Sequence, residues 1–165
     1  MTRRSPMQWV MLIAAAVTVL DQLTKWLVVR FIAPEESRVV IAGFFDLVNW
    51  GNTGAAWGIL KNYNLMLTVV STLALFALYC FRHSFQLRRR CLRIALGLIA
   101  GGILGNLIDR VRLGHVIDFL YFYIGQYHWP AFNVADSAIC VGVGLYIILS
   151  WWADRDTKAN AAAQT

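Results

Sequence analysis

Four stretches of this chain are almost continuously apolar, and the segments between them are basic or aromatic. They run from about Trp9 to Arg30, Leu65 to Phe81, Leu92 to Arg110 and Val134 to Trp152. Each is near the ~20 residues an α-helix needs to cross ~30 Å of hydrocarbon. The pattern predicts an all-α polytopic membrane protein, one domain built as a bundle of four transmembrane helices. The first stretch is too long for a signal peptide, and its Asp21–Lys25 segment is no small-residue cleavage site.

Between the helices the pattern changes. The connection over 31–64 holds a Val-, Ile- and Phe-rich run, Ser37 to Trp50, with turn signals at Gly43 and at Gly51-Asn52-Thr53-Gly54. It predicts a small β-structure lying on the membrane surface. The connection over 111–133 carries Phe119, Tyr121, Phe122, Tyr123, Tyr127 and Trp129. It reads as an interfacial aromatic loop or a short helix in the headgroup plane. Residues 153–165 read as a solvated, frayed tail.

Basic residues set the orientation. Arg3 and Arg4 precede the first helix, Arg82, Arg88, Arg89, Arg90 and Arg93 link the second to the third, and Arg155 and Lys158 follow the fourth. By the positive-inside rule these segments and both termini are cytoplasmic, and the two other connections face outward.

Composition agrees. The 165 residues are 59% hydrophobic, and the net charge of +6 flanks apolar spans. Membrane orientation explains that charge better than nucleic-acid binding does. Cys80, Cys91 and Cys140 form no CxxC, and Cys80 and Cys140 read as small buried hydrophobes. Neither HExxH nor GxSxG occurs, so zinc-protease and serine-hydrolase chemistry lack their signals. No metal or cofactor is expected.

The informative residues are the polar ones at membrane depth, which are costly there and functional by default. Asp21 lies ~18 Å along the first helix, past the midplane, and Lys25 is one turn further on the same face. Asn106, Asp109 and Arg110 lie near the outer end of the third helix, Asn133 and Asp136 at the outer start of the fourth, and Asp118 in the outer connection. Structural roles are open to several of them. Asp21 and Lys25 can be a pair that pins helices. Asn106 can be interhelical glue beside Gly101, Gly102 and Gly105. Asp109-Arg110 can be an ordinary interfacial ion pair, and His115 an interfacial loop residue. Asn133 can cap the fourth helix while Asp136 complements its dipole. Asp118 is harder to dismiss, since its neighbours are apolar and no cation follows it before His128. Two carboxylates meeting in one dry site suggest a shared proton and an activated water, the chemistry of an aspartyl hydrolase.

Five segments carry a resemblance. Asp21-Gln22-Leu23-Thr24-Lys25, Asn52-Thr53-Gly54-Ala55-Ala56-Trp57, Gly101 to Arg110, Val116-Ile117-Asp118-Phe119 and Phe132 to Ser137 resemble, in order, the motifs of lipoprotein signal peptidases (signal peptidase II). The resemblance implies a bacterial inner-membrane aspartyl endopeptidase without cofactor. Such an enzyme cuts diacylglyceryl-modified prolipoproteins just before the lipid-modified cysteine. By the same resemblance Asp118 and Asp136 are the catalytic pair. Asn52, Gly54, Asn106, Arg110 and Asn133 line the substrate site, and Asp21 and Lys25 support it, with Asp109 beside them. Trp57 departs from the family, which more often has Phe there. The partners implied are the prolipoprotein and membrane lipids, and a monomer suffices because all five motifs lie in one chain. The rival readings are a small proton-coupled transporter or channel and a non-catalytic scaffold. Against the transporter, the inner half of every helix is apolar and no internal repeat is visible.

Overall fold

The structure is a computed structural model, and it describes residues 5–54, 59–83, 85 and 90–162. Arg3, Arg4, Trp57, Arg88 and Arg89, which enter the readings above, lie outside the described residues, as does the side chain of Lys158. The order of elements is α1 (Pro6–Phe31), β1 (Ser37–Ile41), β2 (Phe45–Asn52), α2 (Asn64–Cys80), α3 (Arg90–Leu113), β3 (Val116–Ile124), β4 (Tyr127–His128) and α4 (Val134–Ala162). A 3-10 turn over Phe81–His83 follows α2.

α1, α3 and the Val134–Trp152 part of α4 are each long and apolar enough to cross a bilayer. α2 is apolar but has 17 residues, the short end of what spans. α3 is the central helix, with α1 on one side and α4 on the other, and α2 packs chiefly against it.

The packing is inverted relative to a soluble protein. On α1 the buried positions include Thr18, Asp21 and Lys25, whereas Val19, Leu23 and Trp26 face outward. Lipid covers the apolar side, so the polar stripe is what turns inward. Close approach is made by glycine. A Cβ on Gly97 would meet Ile13, and one on Gly101 would lie 2.6 Å from the Ala14 carbonyl oxygen. One on Gly105 would lie 2.6 Å from Asp21 Oδ2, and one on Gly102 would run into Ala135. Gly97, Gly101 and Gly105 are four apart and form one α3 stripe against α1, the small-residue seam of membrane helix pairs.

The connections differ from expectation in one respect. β1 and β2 form the predicted hairpin, but the aromatic run after α3 is strand β3, which pairs antiparallel with β2. The result is one four-stranded sheet in the order β1-β2-β3-β4, with no helix in the headgroup plane. Gly114, at φ +78°, ends α3 in the left-handed region and donates its N–H to the Arg110 carbonyl. The chain thus leaves the helix directly into β3.

Two further expectations are corrected. α4 continues beyond Trp152 to Ala162, through a stretch with no Gly or Pro to stop it, where a frayed tail is predicted. Cys80 and Cys140 are exposed on the bundle, not buried. A small hydrophobe needs no protein cover where lipid supplies it.

The glycine seam generates a paired test. Gly101→Val should overpack the α1–α3 contact and cost about 1–3 kcal/mol. Gly144→Ala, at a helical site where a Cβ meets nothing within 4 Å, should be neutral or slightly stabilising. Unfolding curves in detergent micelles would decide, and equal behaviour of the two variants would contradict this account of the seam.

Candidate active site

The centre of the bundle is a buried ammonium. Lys25 Nζ lies 2.8 Å from Asp21 Oδ2 and 2.7 Å from Asp109 Oδ2, and donates to Asn106 Oδ1 at 3.0 Å. Asp21 and Lys25 pair within α1, and Lys25 ties that pair to α3 through Asp109 and Asn106. Asp109 is not the partner of its neighbour Arg110. It reaches back to α1, accepting from Gln22 Nε2 at 2.9 Å, and forward to β3, accepting from the Ile117 N–H at 3.3 Å. Adjacent residues on a helix do not face each other, so Asp109 and Arg110 point to different neighbours.

From this cluster the hydrogen bonds run outward to both candidate carboxylates. Asn106 Nδ2 donates to Asp136 Oδ1 at 2.7 Å. Asn133 Nδ2 donates to Asp118 Oδ1 at 2.8 Å, and Asn52 Nδ2 to Asp118 Oδ2 at 2.9 Å. Asn133 also caps α4. Its Oδ1 accepts the Asp136 N–H at 2.9 Å, while Asp136 Oδ2 accepts the Asn133 N–H at 3.3 Å. That is a reciprocal capping box. Asp21 Oδ1 takes another first-turn donor of α4, the Ala135 N–H, at 2.9 Å.

Asp118 and Asp136 line one cavity of about 830 Å³, together with Asn52, Gly54, Asn106 and Arg110. β2, the end of α3, the segment before α4 and the first turns of α4 wall it. Asn133 is fully buried and does not line this cavity. It stands behind the carboxylates where the sequence reading puts it in contact with substrate. Arg110 donates to the Gly54 carbonyl at 3.3 Å, and Gly54 N–H donates to Asn52 Oδ1 at 2.8 Å, which ties the loop after β2 to α3. His115 packs against Gly51, at the strand end beside the cavity. Among the described residues no cluster of His, Cys, Asp and Glu is arranged to hold a metal ion.

Three contributors lie outside the predicted set. Gln22 and Ala135 sit inside quoted motifs but gain their roles only through contacts across the bundle. Asn49, buried on β2, donates to the Ile32 carbonyl at the end of α1 and seats the sheet on the helices. A lone Asn among Leu, Val and Trp was the only signal for it.

Polar groups from the sheet, α3 and α4 thus gather at one cavity at one end of the bundle, backed by the buried cluster that α1 supplies. Comparison with known proteins gives the family. The profile of signal peptidase (SPase) II matches residues 13–152. The lipoprotein signal peptidase of Syntrophotalea carbinolica is 49% identical over 144 residues, covering 86% of this chain and 89% of that one. That of Symbiobacterium thermophilum is 43% identical, covering 82% and 90%. Two solved structures, each described as a bacterial membrane enzyme determined in meso, match at 36% identity with TM-scores of 0.81 and 0.75. The first covers 90% of both chains, the second 85% of this chain and 90% of its own. The chain belongs to the signal peptidase II family and is a membrane protease of that kind. The transporter and scaffold readings fall with that assignment.

Two tests follow from the geometry. Lys25→Met would leave Asp21 and Asp109 buried without their cation, and should cost about 3–5 kcal/mol in detergent unfolding, partly recovered by adding Asp109→Asn. A loss under about 1 kcal/mol would mean the cluster is solvated.

Asp118, on β3, gives the second. Burial raises its carboxyl from the ordinary 3.8 to about 7, with the Asp136 charge adding to the rise. The folded chain then holds this proton at pH values where an exposed carboxyl has lost it. The group's contribution to stability is full below 3.8 and is lost as pH rises through about 7. Infrared spectra should show a protonated-carboxyl C=O band that bleaches as pH passes about 7 and is missing in Asp118→Asn. A band unchanged by that substitution would assign the proton elsewhere.

Proposed function

We propose that this chain cleaves diacylglyceryl-modified prolipoproteins just before the lipid-modified cysteine, with Asp118 and Asp136 as the catalytic pair. The observation that carries the reading is Asn133. Its side-chain amide holds Asp118, while its backbone and side chain hold Asp136, so one residue fixes both carboxylates at the edge of one cavity. The names of the relatives support the substrate, since those proteins are lipoprotein signal peptidases.

Protonated Asp118 and ionised Asp136 divide the work. Asp136 takes a proton from water as its oxygen bonds to the scissile carbonyl carbon. Asp118 gives its proton to the carbonyl oxygen, and a tetrahedral diol forms. Asp136 then passes its proton to the leaving nitrogen, the C–N bond breaks, and Asp118 recovers a proton from the diol. The raised carboxyl of Asp118 suits it to carry the proton near neutral pH. Asn52, Asn106 and Arg110 line the same cavity and would hold the substrate backbone, beside Gly54.

The proposed setting is the bacterial inner membrane, with four crossings that include α2, both termini cytoplasmic and the cavity near the outer face. The basic segments support this orientation. A diacylglyceryl anchor in the outer leaflet would bring the scissile bond to the depth of the cavity. The working unit is a monomer.

Purified protein in detergent should convert a diacylglyceryl-modified prolipoprotein to a faster-migrating product on a gel. Asp118→Asn and Asp136→Asn should fold yet lose about 10²–10⁴-fold or more in rate. Above pH 7 the wild-type rate should fall as Asp118 loses its proton. Folded variants that cleave like wild type would overturn the pair.

A further inference from the structure

We propose that the seam between α1, α2 and α3, at the end of the bundle away from the catalytic cavity, holds one acyl chain of an anionic phospholipid whose phosphate sits on Arg82. This stands apart from the protease reading.

α2 buries none of its residues, so it is the helix least fastened by protein contacts. Beneath it lies an apolar cavity of about 110 Å³, walled by Val10 of α1, Leu75 and Leu78 of α2, and Leu96 and Ala100 of α3. Its lining is almost wholly apolar and it opens on the side of the bundle, so hydrocarbon fits it better than water does. It is too narrow for a helix, which measures about 10–12 Å across with its side chains. In a bilayer the adjoining hydrocarbon is an acyl chain.

The mouth of the cavity selects charge. Arg82 lines it just past the end of α2, with Nη1 donating to the Tyr79 carbonyl at 2.8 Å and the guanidinium 4.3 Å from the centre of the Tyr79 ring. It is held in place with donors to spare. Both ion pairs among the described residues belong to Lys25, so Arg82 has no carboxylate partner among them. α3 adds Arg90 and Arg93 near its start and no acidic residue in its first turn. An apolar slot under a guanidinium with no carboxylate partner among the described residues fits an amphiphile with an anionic head.

Native mass spectrometry of the full chain, released from micelles doped equally with phosphatidylglycerol and phosphatidylcholine, tests this. Wild type should retain phosphatidylglycerol with a preference of roughly fivefold, the effect expected of one cation near a headgroup. Arg82→Gln should bring the two lipids to parity. Ala100→Leu, which fills the slot, should lower retention of both, and Leu78→Phe carries the same expectation if that variant does not fold. Equal retention by wild type, or a preference untouched in Arg82→Gln, would overturn the proposal. So would a lipid-free dimer, which would mean a second copy covers the seam.

Discussion

The ammonium of Lys25 is the constraint on which the rest of the molecule depends. A lone cation at this depth would be prohibitively costly, and an ammonium has three protons to place. All three are used, on Asp21, Asp109 and Asn106. Each acceptor has a second duty. Asp21 takes an N–H from the first turn of α4, Asp109 takes the Ile117 N–H of β3, and Asn106 donates onward to Asp136. One cation therefore sets α1, α3, α4 and β3 relative to each other. The glycine stripe on α3 is a consequence, because helices must come close enough for such short side chains to reach across.

Capping and the proposed catalytic role look like rival explanations of Asn133 and Asp136, yet one geometry serves both. The capping box needs both side chains turned back toward the start of α4. That start is where β3 delivers Asp118, four residues after the left-handed Gly114 ends α3. The local rule for beginning a helix thus aims a carboxylate at the place where the sheet supplies another.

What was legible in the sequence follows from how strong each local signal is. Long apolar runs marked the helices, and polar residues at shared depth marked the candidate site, because a bilayer penalises exceptions to both. β3 was hidden since Val-Ile-Asp-Phe-Leu-Tyr-Phe-Tyr-Ile is, Asp118 apart, apolar or aromatic on both faces, leaving no alternation to read. Adjacency left Asp109 open to pairing with Arg110, whereas its partner is 84 positions away on α1. Asn133 was placed in the site by resemblance; that its side chain is fully buried depends on three elements meeting and is not written in its neighbours.

The choice of holders also has a chemical logic. Asp118 is held by two asparagines, and Asp136 accepts from a third. A lysine or arginine in those places would lock the carboxylates in their charged form. An amide donates without adding charge, and turned over it can accept from a protonated acid. At Asp118 the amide bonds and the charge of Lys25 both favour ionisation, yet burial and the Asp136 charge outweigh them and leave the carboxyl near 7. The nearby cation Arg110 makes no ion pair with either acid and donates instead to the Gly54 carbonyl. Neutral donors at the carboxylates, with the Lys25 charge set one layer back, suit the proposed pair to pass a proton either way. That freedom is what general acid and general base catalysis in one turnover requires.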